Sequence, residues 1–220
     1  MPEHHRIEVP RTAHYYTLGP ANEQVRRFWI VCHGYGQLAS SFIRRFEGLD
    51  DGRTLVLAPE GLSYFYWGGF SGEPVASWMT RHHRLDEIRD YARYLQMVYD
   101  RYVPRLHPDV EINLLGFSQG VATQLRWIMA HFPRFHNLLL WAGMPPEDLD
   151  YRPHEAFFGT KRILFVYGRQ DPFLTEERLQ WVRTFAKEQF PVFEEHAYDG
   201  VHEVDPAVLQ TLAKGLGRKP

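Results

Sequence analysis

A short apolar run that passes directly into an amphipathic pattern, between Val110 and Ala130, constrains the fold of this 220-residue chain more than any other feature. Its apolar positions recur first as in a strand and then at helical spacing: Ile112, Leu114 and Leu115, then Val121, Leu125, Ile128 and Met129. Ser118 lies at the corner, and Gly116 and Gly120 on either side of it allow strand and helix to approach closely. The segment therefore predicts a sharp strand-to-helix turn that exposes the serine hydroxyl; a helix-capping glycine beside a solvated turn serine is the plainer alternative.

Further apolar runs along the chain alternate with helical patterns. Strands are predicted at 28–32, 54–58, 137–142, 162–167 and 192–198, with an edge strand within 7–18. Helices are predicted over 40–46 and 85–102, after the turn serine, and from caps at Thr175 and Asp205. This alternation predicts an α/β fold with a mostly parallel, doubly wound sheet and helices on both faces, in a single domain over residues 1–220.

Composition narrows the class of function. The chain is 44% hydrophobic and 24% charged with a net charge of −2, which is typical of a soluble globular domain and gives no basic field for nucleic acid or an anionic membrane. The polar N-terminus does not resemble a secretory signal, and no window is long and apolar enough to span a bilayer, so we expect no stable membrane insertion. The single cysteine, Cys32, lies in a strand pattern and cannot form an internal disulfide, which favours a cytoplasmic location.

Three residue types needed for nucleophilic catalysis follow predicted strands. Ser118, Asp171 and His202 each come after a glycine-containing strand end, and parallel strands bring their carboxyl ends to one edge of the sheet. A serine hydroxyl becomes a nucleophile when a histidine takes its proton, and a carboxylate that orients the histidine stabilises the resulting cation. Asp171 is a better orienting acid than Asp199, Glu203 or Asp205, because these three share or adjoin the histidine loop whereas Asp171 follows its own strand.

Two backbone N–H groups complete this prediction. The run from His33 to Gly36 is a glycine-bracketed loop at the end of a buried strand, so its N–H groups can point into a cleft. We expect the N–H of Tyr35 and that of Gln119, the residue after the serine, to form an oxyanion hole.

A long aromatic connection at 62–79 is predicted to form the wall of an apolar acyl pocket, although packing on the sheet edge is the alternative. The candidate substrate-binding residues are Tyr64, Phe65, Tyr66, Trp67, Phe70 and Trp78. The histidine pairs at 4–5 and 82–83 are adjacent residues that diverge in direction, so we expect no metal site.

These motifs resemble the phospholipase/carboxylesterase family of α/β-hydrolases, which includes the acyl-protein thioesterases. The resemblance rests on His-Gly-Tyr-Gly at 33–36, Gly-Phe-Ser-Gln-Gly at 116–120, Gly168 with Asp171 and Gly200 with His202, and it covers nearly the whole chain. It implies an α/β-hydrolase fold with little or no lid domain, the triad and oxyanion roles given above, and a pocket position for Trp78. The family's usual Gly-Leu-Gly-Asp is Gly-Tyr-Gly-Gln here, and the loop around Trp67 is similar to that of a bacterial esterase subgroup.

The sequence thus predicts a cofactor-free serine hydrolase that cleaves carboxylic esters or thioesters of small molecules through an acyl-enzyme, on short, medium-chain or aromatic acyl groups. A perhydrolase or haloperoxidase-like activity on the same triad, in which peroxide captures the acyl group, is one alternative. A non-catalytic ligand-binding protein with this fold is another. The physiological substrate and the formation of a homodimer are left open.

Overall fold

The computed structural model describes residues 1–217, and a seven-stranded sheet with a separate two-stranded hairpin organises them. The strands are β1 (Tyr15–Leu18), β2 (Arg27–Cys32), β3 (Thr54–Pro59), β4 (Ser63–Tyr66), β5 (Pro74–Ser77), β6 (Glu111–Phe117), β7 (Asn137–Trp141), β8 (Arg162–Gly168) and β9 (Glu194–Tyr198). The large sheet has the order β1-β3-β2-β6-β7-β8-β9, and every neighbouring pair is parallel except β1 with β3. The predicted, mostly parallel sheet is confirmed.

The α-helices are α1 (Ala39–Phe42), α2 (Arg84–Tyr102), α3 (Gln119–His131), α4 (Glu155–Phe158), α5 (Glu176–Gln189) and α6 (Pro206–Gly215), and short 3₁₀ segments lie at Ile43–Leu49, Val103–Arg105 and Arg152–His154. Two predicted helix starts are confirmed. Thr175 Oγ1 accepts from Arg178 N at 3.4 Å, and Asp205 Oδ1 accepts from Ala207 N at 2.8 Å. Such caps satisfy N–H groups that have no partner within the helix.

The central strands are buried on both sides. Every residue of β3 and of β7 is buried, and because successive side chains point to opposite faces, both faces of the sheet must be covered. Helix α2 packs on α3, and α6 packs on the 3₁₀ segment Ile43–Leu49. Trp29 and Trp141 are fully buried strand residues. Each such ring contributes roughly 1.5–3 kcal/mol through removal of apolar surface from water.

The strand order places a crevice between β2 and β6. From β2 the chain continues to β3 on one side, and from β6 it continues through β7, β8 and β9 on the other. Ligands of open α/β sheets bind outside the carboxyl ends of the strands at such a reversal. The loops after β2 and β6, which hold Tyr35 and Ser118, lie there.

Two parts of the chain differ from the sequence prediction. The edge strand expected within 7–18 is only the four-residue β1; Ile7 and Val9 are 87% and 71% exposed, and Pro10 cannot donate to a sheet. The connection at 62–79 contains the antiparallel hairpin β4–β5. No helix within residues 1–217 is both long and apolar enough to cross a membrane.

Candidate active site

Ser118 occupies a strained turn between β6 and α3. Its backbone has φ 53° and ψ −115°, a conformation that non-glycine residues rarely adopt. Two hydrogen bonds hold the turn: Ser118 N donates to Trp141 O at 2.8 Å, and Val121 N donates to Ser118 O at 3.0 Å. The Ser118 hydroxyl makes no hydrogen bond to any of residues 1–217. The predicted sharp turn is therefore present, and it leaves the hydroxyl without a partner among these residues, His202 included.

Gly116 and Gly120 are required by the closeness of the strand and the helix. A Cβ atom at Gly116 would lie less than 3.0 Å from the backbone of Gly120. A Cβ atom at Gly120 would in turn lie less than 3.0 Å from the carbonyl oxygens of Cys32 and His33 at the end of β2. Because these neighbours are backbone atoms, they cannot move aside cheaply. The two glycines thus let the first turn of α3 rest on the neighbouring strand.

Asp171 and His202 meet at the ends of β8 and β9. The distance from His202 Nδ1 to Asp171 Oδ2 is 2.6 Å, and the side chain of Asp171 is fully buried. The second carboxylate oxygen of Asp171 accepts from Phe173 N at 2.8 Å. An acceptor on Nδ1 fixes the proton of a neutral imidazole on that nitrogen, so Nε2 is the nitrogen that can take up a proton.

The His202 ring is held between two phenylalanines. The centroid of the His202 ring lies 4.8 Å from that of Phe117 and 4.7 Å from that of Phe173. Phe117 immediately precedes Ser118, so this contact brings the serine turn and the histidine loop together. Neither phenylalanine was predicted as a site residue. The position of Phe117 beside the serine was a usable signal, whereas nothing in the sequence pointed to Phe173.

The loop after β2 presents a free N–H group beside this site. Gly34 N donates to Gln37 Oε1 at 2.8 Å and Gly36 N donates to Ala76 O at 2.9 Å, which fixes the loop on both sides of Tyr35. In the part of the chain that the structure describes, the N–H groups of Tyr35 and Gln119 have no acceptor. Gln119 is the first residue of α3, where a helix leaves N–H groups unpaired. Both groups are thus unpaired among the described residues, as the predicted oxyanion hole requires.

The side chain of His33 holds the loop after β2 in place by hydrogen bonds. Its ring is buried, with Nδ1 2.7 Å from Gly34 O, and Nε2 accepts from Gly61 N at 3.0 Å. Burial lowers the pKa of His33 to about 4, against the opposing effects of Gly34 and Glu60. The imidazole is therefore neutral at pH 7 and joins the loops after β2 and β3 by hydrogen bonds.

The side chain of Gln119 forms a second support that the sequence did not reveal. Its Oε1 accepts from Trp78 N at 3.1 Å and from Ser77 Oγ at 3.3 Å, and its Nε2 donates to Met79 O at 2.8 Å. The amide thus connects the start of α3 to the end of the hairpin. The prediction used only the backbone N–H of this residue.

The hairpin separates the predicted pocket aromatics into groups. Phe65 and Trp67 contact Tyr35, with ring centroids 4.9 Å and 5.9 Å from the Tyr35 ring. Tyr64 and Tyr66 are exposed on the other face, as alternation along a strand requires. Only the first pair therefore lies against the loop that carries Tyr35.

Two other predicted pocket residues lie at opposite extremes of exposure, and their pocket assignment stays a prediction. Phe70 is 91% exposed at the hairpin tip. Trp78 is 1% exposed, because its indole fills the space against His33 and Tyr91 and its Nε1 donates to His33 O at 2.9 Å. The indole thus stabilises the core by removing its apolar surface from water, and its N–H group binds the loop after β2.

The described residues contain no group of three or more His, Cys, Asp or Glu side chains that could hold a metal ion. The absence of a cofactor requirement stays a prediction.

Comparison with known proteins agrees with this architecture. No protein-family model matches the chain, and no curated protein matches its sequence. Among solved structures, acyl-protein thioesterase 2 from Zea mays has a TM-score of 0.68 at 17% identity, over 93% of this chain and 98% of that one. A carboxylesterase from Mesorhizobium loti has a TM-score of 0.68 at 17% identity, over 92% of this chain and 95% of that one. A phospholipase/carboxylesterase from Dyadobacter fermentans has a TM-score of 0.65 at 16% identity, over 94% of this chain and 97% of that one. At these identities the likeness establishes the architecture: the chain has the α/β-hydrolase fold.

Proposed function

We propose that this protein is a serine hydrolase that cleaves carboxylic esters or thioesters of small molecules through an acyl-enzyme. The observation that carries the proposal is the 2.6 Å contact between His202 Nδ1 and Asp171 Oδ2 at the same sheet edge as the strained Ser118 turn. The esterase and thioesterase structures with the same fold support it.

In the first half of the reaction, Ser118 Oγ attacks the carbonyl carbon and His202 Nε2 takes the hydroxyl proton. Asp171 keeps the imidazole in the tautomer that can accept this proton and stabilises the cation. The carbonyl oxygen becomes negatively charged and accepts hydrogen bonds from the N–H groups of Tyr35 and Gln119. His202 then returns the proton to the departing alcohol or thiol, which leaves an acyl group on Ser118.

In the second half, His202 takes a proton from a water molecule and the resulting hydroxide attacks the acyl carbon. Collapse of this intermediate releases the carboxylic acid, and the proton passes from His202 to Ser118 Oγ. The aromatic rings of Phe65 and Trp67 beside Tyr35 favour short, medium-chain or aromatic acyl groups. The lone buried Cys32 supports the reducing cytoplasm as the location of this activity.

The decisive experiment measures hydrolysis of p-nitrophenyl esters of increasing acyl length by the wild type and by Ser118→Ala. We expect kcat to fall by at least about 10³-fold in the variant, because loss of the nucleophile removes the covalent route. Ser41→Ala is the matched control, since Ser41 is exposed in α1 and its hydroxyl contributes nothing to the site. Equal activity of wild type and Ser118→Ala would exclude Ser118 as the nucleophile.

A second readout tests the covalent step directly. A fluorophosphonate should add one equivalent to the wild type on the peptide that contains Ser118, and intact-protein mass spectrometry should detect no adduct on Ser118→Ala. A wild type that neither hydrolyses any ester or thioester nor reacts with the probe would favour a ligand-binding protein. Comparison of butyryl esters with S-butyrylthiocholine distinguishes ester from thioester preference.

A further inference from the structure

A cavity of about 560 Å³ opens between the loop after β7, the start of α5 and side chains from α2 and α3. Its lining combines three guanidinium groups with apolar side chains: Arg84, Arg126, Arg178, Met144, Pro146 and Trp181. The volume lies within the range of roughly 300–1,000 Å³ that small-molecule sites occupy. None of these residues has a role in the acyl transfer proposed above.

The cavity adjoins the proposed catalytic residues on two sides. Met144 follows Gly143, where an added Cβ would lie less than 3.0 Å from the carbonyl oxygen of Ser118. Arg178 Nη1 donates to the carbonyl oxygen of Phe173 at 2.6 Å, and the Phe173 ring contacts the proposed base. The cavity lining is thus linked to Ser118 through Gly143 and to His202 through Phe173.

The arginines on α2 and α3 share a single carboxylate. Arg126 Nη2 lies 2.6 Å from one oxygen of Asp148, and Arg84 Nη2 lies 2.5 Å from the other. The side chain of Arg126 is only 6% exposed, so its charge is poorly screened by solvent. Burial acts to raise the pKa of Asp148, but the hydrogen bond and charge of Arg126 lower it. Two cations and one anion leave a net positive charge on this group, and Arg84 Nε has no partner within residues 1–217.

Arg178 is a third cation of the lining and is exposed. Among the described residues it forms no ion pair, and its guanidinium donates to a backbone carbonyl. Glu147 and Glu177 also line the cavity, but both are exposed and water screens them more than it screens Arg126. The three arginines of the lining balance Glu147, Asp148 and Glu177 in charge, and the most buried of these six side chains is the cation Arg126.

We propose that this cavity binds a carboxylate on the substrate, at the far end of the chain or ring whose ester bond Ser118 attacks. The inference rests on the proposed function and specifies its substrate class as monoesters of dicarboxylic acids or esters with an acidic alcohol part. Guanidinium groups pair with carboxylates through two parallel hydrogen bonds, and Met144 and Trp181 contact the apolar part of the molecule. The nearby Glu147 and Glu177 disfavour a dianionic phosphate more than a singly charged carboxylate.

The test compares esters that differ in one charge. On the acyl side, 4-nitrophenyl hydrogen pimelate is compared with neutral 4-nitrophenyl heptanoate. On the alcohol side, 4-butyryloxybenzoate is compared with its neutral methyl ester. For at least one pair we expect kcat/KM of the wild type to be about tenfold higher for the anionic ester, the effect of one charge-assisted hydrogen bond in a partly exposed site. Added NaCl should reduce this preference.

The variants Arg178→Gln and Arg84→Gln test whether these two guanidinium groups bind the substrate carboxylate. Each variant should lower the ratio of anionic to neutral kcat/KM toward one, and the ratio corrects for any general loss of activity. Arg44→Gln is the matched control, because Arg44 is an exposed arginine outside the cavity whose pairing with Glu47 is a surface contact. An unchanged ratio in both cavity variants, or equal use of anionic and neutral esters by the wild type, would overturn the inference while leaving the proposed hydrolase intact.

Two further measurements, of pimelate binding and of inhibition by phosphate, distinguish the remaining outcomes. If the protein hydrolyses no ester or thioester and does not react with the fluorophosphonate, the proposed function fails. Calorimetric titration with free pimelate then decides the cavity assignment independently: binding that Arg178→Gln weakens supports it, and no binding overturns it. If inorganic phosphate inhibits hydrolysis of the anionic ester at lower concentration than pimelate does, the assignment to a carboxylate is wrong.

Discussion

Protonation of His33 would introduce a charge where the fold excludes water. Because burial lowers the pKa of this residue from 6.5 to about 4, the folded state binds fewer protons than the unfolded state between those pH values. The contribution of His33 to stability is complete above about pH 6.5 and is lost as the pH falls toward 4. The shift corresponds to up to about 3 kcal/mol.

We therefore predict a different pH dependence for His33→Gln. Its free energy of unfolding at pH 7 should be lower than that of the wild type, because the bonds to Gly34 and Gly61 are perturbed. The difference should shrink by up to about 3 kcal/mol between pH 7 and pH 4, since glutamine does not titrate. Urea unfolding at several pH values measures this, and parallel pH profiles for the two proteins would contradict it.

The orienting role proposed for Asp171 gives a second prediction at this scale. Asp171→Asn should keep the fold but lower kcat by about 10⁴-fold, because an amide does not hold the imidazole in the required tautomer or stabilise its cation. Asp199→Asn is the control: Asp199 is closer to His202 in the sequence, yet its side chain is 84% exposed and pairs with Arg169. Ester hydrolysis measures both variants, and comparable losses in the two would reject the assignment to Asp171.

At the level of residues, the sequence was most informative where chemistry dictates residue type. Ser118, Asp171 and His202 could be chosen because each follows a strand at the sheet edge. The supports around them could not, because the contacts of Phe173 and of the Gln119 amide depend on how distant loops meet. Trp78 is a different case: tryptophan suits either a pocket or a core, and its burial in the structure, at 1% exposed, favours the core.

At the level of elements, the close contact between α3 and β2 gives a third prediction. Gly120→Ala should destabilise the protein by about 2–3 kcal/mol, because the new methyl group overlaps the backbone of β2. Gly215→Ala is the matched control, since it also lies in a helix, but its added Cβ has no neighbour within 4 Å. That variant should gain up to about 1 kcal/mol. Chemical denaturation measures the free energy of unfolding of both variants. Equal effects would show that helical propensity, rather than the contact with β2, determines the change in stability.

Strand patterns predicted the sheet well because buried parallel strands have a simple signature of continuous apolar residues. The same reasoning failed at the N-terminal edge, where Tyr15 to Leu18 pair with β3 and the preceding residues do not. The hairpin β4–β5 was also missed. Its strands have four residues each, and the glycines between them gave the whole segment the composition of a loop.

For the whole molecule, Cys32 offers a probe of global unfolding. The thiol lies at the end of a central strand with no exposed surface, and burial raises its pKa well above the usual value. We predict that Ellman's reagent does not modify the native protein, and that the modification rate rises with urea in parallel with global unfolding. The unfolded protein should react with one equivalent. Modification at a rate independent of urea would instead indicate local opening around β2.

The outer strand β9 has a consequence for how copies of this chain meet. Within residues 1–217 no further strand pairs with its outer edge, and an unpaired edge is a template for adding a strand from another molecule. Its residues Glu194 and Glu195 form ion pairs with Arg162 and Arg183, at 2.6 Å and 2.7 Å. Incoming backbone would have to displace or desolvate these charges. The edge is therefore guarded against aggregation, and any dimer is expected to form through a different surface.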